Sequence, residues 1–356
     1  MSSYFCSLPC NLKLLNMKAA VYRKNKGLVI EEIPMPEAGE DRVLIKVSDT
    51  GFCGSDHSLI ESGLLPDGII LGHEASGTVC DRGRQNGALQ DGARVIVRPT
   101  YCGLCRECRM GKPHLCGIKR RSIGVGDLPG GFAEYVQVLP PMLIPVPPGV
   151  DSRNAALAEA FASALHGVRC AEMEGGSALV MGGGPIGLAA VRILKILGFG
   201  PVVLSEPVEN KRELGKRFGA DFVLDPLGED ISGPGREWTG GTGFETILEC
   251  SGVSENVSLA FTLAAKGGTI CIVSMFKGLA VNQPMALNFK EPRLTWSYSN
   301  THEENIQCLS WMAEGKIDAR DMITDLIPLE ELPRVYRERI HPGKAVKVMV
   351  KIGEEF

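Results

Sequence analysis

Two short glycine-flanked segments hold the residue types that can bind a metal and leave a position for substrate. The first reads Gly51-Phe52-Cys53-Gly54-Ser55-Asp56-His57, the second Leu71-Gly72-His73-Glu74. Thiolate and imidazole are preferred zinc donors, and glycines beside them let backbone and substrate approach closely. Asp56 can accept the spare N–H of a metal-bound His73, the outer bond that usually fixes ring orientation. Two such donors leave a third to come from elsewhere and a fourth place for substrate, which is the pattern of a catalytic zinc. A cysteine or histidine taken singly is more often a packed core residue, so the surrounding chain decides.

A second constellation reads Cys102-Gly103-Leu104-Cys105-Arg106-Glu107-Cys108, followed by Cys116. This C-x2-C-x2-C-x7-C spacing puts four thiolates in one loop, enough to close a tetrahedral shell around a structural zinc. An iron–sulfur cluster is the alternative, but the ferredoxin spacing and its trailing Cys-Pro are missing. Arg106, Arg109, Lys112, Lys119, Arg120 and Arg121 surround the loop. They are expected to offset the thiolate charge, with anion binding as the alternative.

The third constellation is Ala178-Leu179-Val180-Met181-Gly182-Gly183-Gly184-Pro185-Ile186-Gly187, an apolar strand running into helical spacing from Leu188. Gly182, Gly184 and Gly187 form G-x-G-x-x-G at the strand–helix junction, around Pro185 and Ile186. Such glycines serve the tight turn, the approach of a pyrophosphate and helix–strand packing. Val202-Val203-Leu204-Ser205-Glu206 form the next strand, which ends with an acid nineteen residues past Gly187. An acid there accepts from the ribose hydroxyls and repels a 2′-phosphate, so NAD is expected over NADP. Lys211 and Arg212 nearby keep NADP as the alternative.

These groups need two kinds of scaffold. From Met17 to about Pro148, short β-rich runs are punctuated by Gly and Pro, which predicts a compact barrel-like β domain. A helix is expected over Asn154–Glu172, capped by Ser152 or Asn154, with Glu159, Ser163 and His166 on one face. Glu159 lies among alanines and Phe161, where a carboxylate needs a partner; a metal would supply one, and a solvent-facing position is the bland alternative. Beyond it, apolar strands alternate with helices, which implies a parallel sheet covered on both faces. A helix near Glu303–Glu314, with Thr301 and Glu304 as a capping box, another near Leu329–Glu338 and a strand at Ala345–Ile352 complete the chain. The first sixteen residues, including Cys6 and Cys10, are read as an extension rather than a signal.

At 356 residues the chain is long enough for two domains. A net charge of −4 gives no basis for nucleic acid or a membrane as partner, and no apolar run reaches a membrane span. Twelve cysteines without a disulfide-like framework suggest reduced thiols, metal binding and a cytoplasmic setting. Glu74 lacks the second histidine of H-E-x-x-H, which disfavours a zinc protease.

In their order and spacing these motifs resemble the zinc-containing medium-chain dehydrogenase/reductases, from Met17 to the C-terminus. The resemblance implies an α/β fold: a GroES-like catalytic domain over 17–166 with a structural zinc lobe at about 98–121, a Rossmann domain over 167–296, and a return to the catalytic domain over 297–356, with substrate in the cleft between. It implies two zinc ions. Cys53 and His73 would be catalytic ligands, Glu74 the neighbouring glutamate that can approach the metal, and Glu159 a ligand directly or through water, as in the polyol and threonine dehydrogenase branches. Cys102, Cys105, Cys108 and Cys116 would hold the structural zinc. Ser55 matches the proton-relay hydroxyl. Lys211, Val273 and Ser274 join Glu206 and the glycines as candidate cofactor contacts. Two departures stand out: Ser58 occupies the usual relay-histidine position, which sets His57 at the surface, and Ser297-Tyr298 replaces the Arg-Tyr common in polyol dehydrogenases. The expected function is hydride transfer between a secondary alcohol or polyol and NAD. Threonine 3-dehydrogenase-like or sugar dehydrogenase activity is the alternative, and a catalytically silent metal-binding protein the reading from another class. A homotetramer or dimer is expected.

Overall fold

A computed structural model describes residues 15–83, 89–275, 278 and 287–356. The expected N-terminal extension therefore lies almost wholly outside the described residues. The chain divides into two units: residues up to Glu159 together with Leu309–Phe356, and Ala160–Cys308 between them. The first break falls at Glu159, within a helix, against the expected 166. The return comes at Leu309, against the expected 297.

The first unit is built on a hairpin, β1 (Asn16–Arg23) with β2 (Gly27–Pro34), and on a larger sheet. That sheet contains β3 (Val43–Phe52), β4 (Glu74–Asp81), β5 (Arg94–Val97), β6 (Tyr135–Val138) and β7 (Leu143–Pro145). Helices α1 (Gly54–Ser62) and α2 (Arg106–Arg109) interrupt these strands, and α3 (Ser152–Cys170) follows them. Nine of the ten residues of β3 are buried, because strands pair on both its edges and hydrophobic clusters cover its faces. It pairs antiparallel with β4 and β6.

The second unit carries β8 (Ala178–Met181), β9 (Val202–Ser205), β10 (Phe222–Leu224), β11 (Phe244–Glu249), β12 (Ala264–Ile272) and β13 (Arg293–Trp296). All pair in parallel, in the order β10-β9-β8-β11-β12-β13. In strand-rank terms this is 3-2-1-4-5-6, the dinucleotide-binding topology, with its switch point between β8 and β11. The crossovers contain α4 (Pro185–Ile196), α5 (Glu209–Phe218), α6 (Ser232–Trp238) and α7 (Glu255–Leu263). Fully buried β8 and β9 explain why their sequences read as unbroken apolar runs.

The chain leaves the second unit through α8 (His302–Ala313) and returns to the first sheet as β14 (Ile323–Pro328) and β15 (Lys347–Lys351). Strand β15 pairs antiparallel with β3, setting Val348 opposite Phe52. The capping box of α8 forms as expected: Thr301 N–H donates to Glu304 Oε2 at 2.8 Å, and Glu304 N–H to Thr301 Oγ1 at 3.2 Å. The cap of α3 differs from expectation. Asp151 Oδ1 accepts the Asn154 N–H at 2.9 Å, while the Ser152 hydroxyl donates to buried Asp49.

Candidate metal centre and dinucleotide cradle

Strand register assembles the first centre. Gly51 of β3 faces Glu74 of β4, so Cys53, at the N-cap of α1, comes beside His73. The Cys53 thiol, a ring nitrogen of His73 and a carboxylate oxygen of Glu74 lie within 4.8 Å of one another. A Cβ on Gly51 would fall 2.0 Å from Glu74 Oε2, so the carboxylate reaches this place only past a glycine.

Asp56 holds Cys53 and His73 from behind. It is fully buried, its Oδ1 is 3.3 Å from His73 Nδ1, off the line of a strong hydrogen bond, and its Oδ2 accepts the Cys53 N–H at 3.0 Å. That leaves His73 Nε2, 3.4 Å from Ser55 Oγ, for a metal. Burial opposes a charge on His73, yet Asp56 and Cys53 raise its pKa well above the usual imidazole value. Such a field attracts a cation, and the donor set suits zinc.

Glu159 lies outside this cluster. Its Oε1 accepts from Arg98 Nη2 at 3.1 Å, with both side chains buried, and Arg98 Nη1 donates to the His73 carbonyl at 3.3 Å. On the other side, Lys347 Nζ donates to both Glu74 carboxylate oxygens at 2.8 Å and to the Phe52 carbonyl at 3.2 Å. Burial opposes the Lys347 charge, but Glu74 and Cys53 prevail and raise its pKa. Arg98 and Lys347 escaped the sequence reading, although each interrupts or ends an apolar strand run, where a charge needs a partner. His57 is half-buried rather than at the surface: its Nδ1 is 3.2 Å from the Tyr336 hydroxyl, which donates to Glu61 at 3.1 Å.

In the cysteine lobe the four sulfurs also lie within 4.8 Å of one another as free thiols. Backbone N–H groups of Cys102 and Lys119 hold Cys116 down to about 6. Against the Cys108 amide, burial and the neighbouring thiols push Cys105 up to about 12. Four thiols this close resist ionising together, and a divalent cation removes that conflict.

In the second unit the glycine turn joins β8 to α4. A Cβ on Gly187 would fall 1.8 Å from the Gly182 carbonyl oxygen, whereas one on Gly184, the N-cap of α4, would meet nothing within 4 Å. The backbone thus faces open space where helix N–H groups can receive an anion. Pro185 takes the first helical position, where its missing N–H costs nothing, and Ile186 follows. Glu206 is buried just past β9; its Oε2 accepts the Gly183 N–H at 2.6 Å and its Oε1 the Val208 N–H at 2.9 Å. Each oxygen keeps further acceptor capacity for a ribose hydroxyl. Arg212 is committed to the carbonyls of Glu206 and Pro207 at 2.8 and 2.7 Å, and Lys211 is half-buried in the first turn of α5. Val273 and Ser274 donate their N–H groups to the Glu249 carbonyl at 2.9 and 3.1 Å. The buried Glu249 carboxylate, which the sequence reading missed, accepts from the hydroxyls of Ser251 and Ser274.

Comparison with known proteins places both regions. Residues 39–148 match the alcohol dehydrogenase GroES-like domain and residues 185–314 the zinc-binding dehydrogenase domain. The chain is 32% identical over 341 residues to L-galactonate-5-dehydrogenase of Escherichia coli K12, covering 94% of this chain and 98% of that one. It is 28% identical to sorbitol dehydrogenase of Bacillus subtilis, covering 94% and 97%. Among solved structures it is similar to a protein described as a zinc-binding dehydrogenase from Sinorhizobium meliloti bound to NADP, with TM-score 0.86, 32% identity and coverage of 95% and 99%.

Proposed function

The chain belongs to the zinc-containing medium-chain dehydrogenase/reductases, and on that premise we propose that it oxidises a secondary alcohol or polyol with NAD as hydride acceptor. Oxidoreductase chemistry at CH–OH follows from the family; the substrate class, the cofactor choice and the residue roles are the proposal.

The convergence of Cys53, His73 and Glu74 supports it most directly. These three would hold the catalytic zinc, with Glu159 as the further carboxylate of the set, and the four lobe cysteines would hold a second, structural zinc. When bound, zinc supplies Lewis-acid polarisation of the substrate oxygen, and the nicotinamide supplies the hydride acceptor. Ser55 Oγ, which stands 3.4 Å from His73 Nε2 and so beside the metal position, receives the alcohol proton and passes it on. Asp56 keeps the imidazole in one orientation. Lys347 balances the Glu74 carboxylate, so the centre keeps an acid without excess negative charge. In the second unit, the open face at Gly184 receives the pyrophosphate and Glu206 takes the ribose hydroxyls. The commitment of Arg212 to carbonyls supports NAD, although the similar Sinorhizobium protein binds NADP.

Alcohols, polyols and amino alcohols offered with NAD and with NADP to the metal-loaded protein test the reading, with reduced cofactor followed by absorbance. Turnover of a polyol or secondary alcohol with NAD is expected; failure of every alcohol with both cofactors overturns it. Among the described residues no helix is long and apolar enough to cross a membrane. A cytoplasmic setting is part of the proposal, supported by cysteines that stand as free thiols among the described residues. A homotetramer is expected in light scattering, and a monomeric mass would refute it.

A further inference from the structure

A cluster in the second unit has no part in the dehydrogenase reading. His166 and Cys170 stand one helical turn apart on α3, so their side chains share a face. Cys170 Sγ lies 3.6 Å from His166 Nε2, and the opposite ring nitrogen, Nδ1, lies 2.9 Å from Glu304 Oε1. Glu304 is held in turn: its Oε2 is fixed by the cap of α8, and Arg169 Nη1 stands 3.4 Å from Oε1. His166 and Glu304 are buried, while Cys170 is half-buried. Thiol, imidazole and carboxylate therefore form a relay in which both ring nitrogens are engaged and the cysteine is half-buried rather than sealed in the core.

We propose that Cys170 is a peroxide-reactive thiol, with His166 as its proton carrier and Glu304 as the residue that positions the imidazole. The thiol proton passes to His166 Nε2. The thiolate attacks one oxygen of hydrogen peroxide; an S–O bond forms as the O–O bond breaks, and the imidazolium returns its proton to the departing oxygen. The products are a sulfenic acid and water, with sulfur oxidised by two electrons and peroxide reduced by two. Burial opposes a charge on His166, yet Cys170 and Glu304 lift its pKa to about 9, so the ring holds a proton stably between the two transfers. Burial in its strand pushes Cys271 up to about 12 and keeps it protonated at neutral pH. The inference does not depend on the catalytic reading above.

The test treats the full-length, metal-loaded protein at neutral pH with hydrogen peroxide, traps sulfenic acid with dimedone and maps adducts by mass spectrometry. Cys170 should be trapped at least tenfold faster than Cys250, which is also half-buried but has its pKa raised by desolvation. Equal rates for these two in the unaltered protein overturn the proposal, whatever the variants do. His166→Asn should slow trapping at least tenfold, and an unchanged rate in a folded variant removes His166 from the reaction. Glu304→Ala should also slow it, and Glu304→Gln, which keeps an acceptor for Nδ1–H, should restore part of the rate. Equal rates in the two Glu304 variants would reject the positioning role.

Discussion

The Lys347 ammonium stands 2.8 Å from each carboxylate oxygen of Glu74, with both side chains almost entirely buried. The partners come from β15 and β4, and β3 between them brings the two together. Removing one member of such a pair leaves an uncompensated charge inside the protein. Lys347→Met is therefore expected to destabilise the first unit by about 3–5 kcal/mol, read as a fall in thermal midpoint. Adding Glu74→Gln should recover much of that loss, because the stranded charge disappears. An unchanged midpoint in the single variant would show that the pair carries no such weight.

The two cysteine sites should answer differently to the same substitution. Cys53→Ser is expected to abolish turnover and release one zinc per chain while leaving the melting profile close to that of the parent. Cys105→Ser should release the other zinc and destabilise by more than the roughly 0.5–3 kcal/mol of an ordinary substitution, because loss of a metal is one of the causes of larger effects. Metal analysis beside calorimetry separates the outcomes, and equal melting of parent and Cys105→Ser argues against a structural role for the lobe.

Cofactor preference should turn on Glu206. A hydrogen bond to a charged group contributes about 1.5–3 kcal/mol, so Glu206→Ala should raise KM for NAD at least tenfold and narrow the gap to NADP. The same change removes the acceptor for Gly183 and Val208, so kcat with saturating NAD tests whether the turn survives. Parent-like KM values for both cofactors would remove Glu206 from recognition.

Stability should also vary with pH through His166. Its folded pKa, raised to about 9 from an ordinary 6.5, contributes stability fully present below about 6.5 and lost as pH rises through about 9. Partial solvent screening limits the effect to the order of 1–2 kcal/mol. Glu304→Gln should flatten this part of the pH–midpoint curve relative to the parent, and identical slopes would contradict the assignment.

Much of the site was legible because its groups announce themselves by type and local spacing. The four lobe cysteines fall within fifteen residues, and the glycine turn sits between an apolar strand and a helix. The gathering of Cys53 with His73 was harder, since it depends on the β3–β4 register and not on distance along the chain. Glu159 shows the limit: helical periodicity placed it on a face with Ser163 and His166, but could not reveal that Arg98 would claim its carboxylate. Lys347 shows it again, because a lysine among valines signals a buried partner without naming one. Cys170 stands one turn from His166 on α3, but Glu304, which completes that set, arrives from α8; likewise Ser274, which helps hold the Glu249 carboxylate, comes from beyond β12. The β-rich unit and the parallel sheet followed from texture, whereas the place of return did not, since α8 continues without a break from one unit into the other.

The path of the backbone also orders events during synthesis. Glu74 leaves the ribosome 273 residues before its counter-ion, and the intervening unit is continuous enough to collapse on its own. Through most of translation the first unit lacks the strands that complete its sheet, and Glu74 lacks the ammonium that pairs with it. The first unit thus completes its sheet last, although most of it is made first.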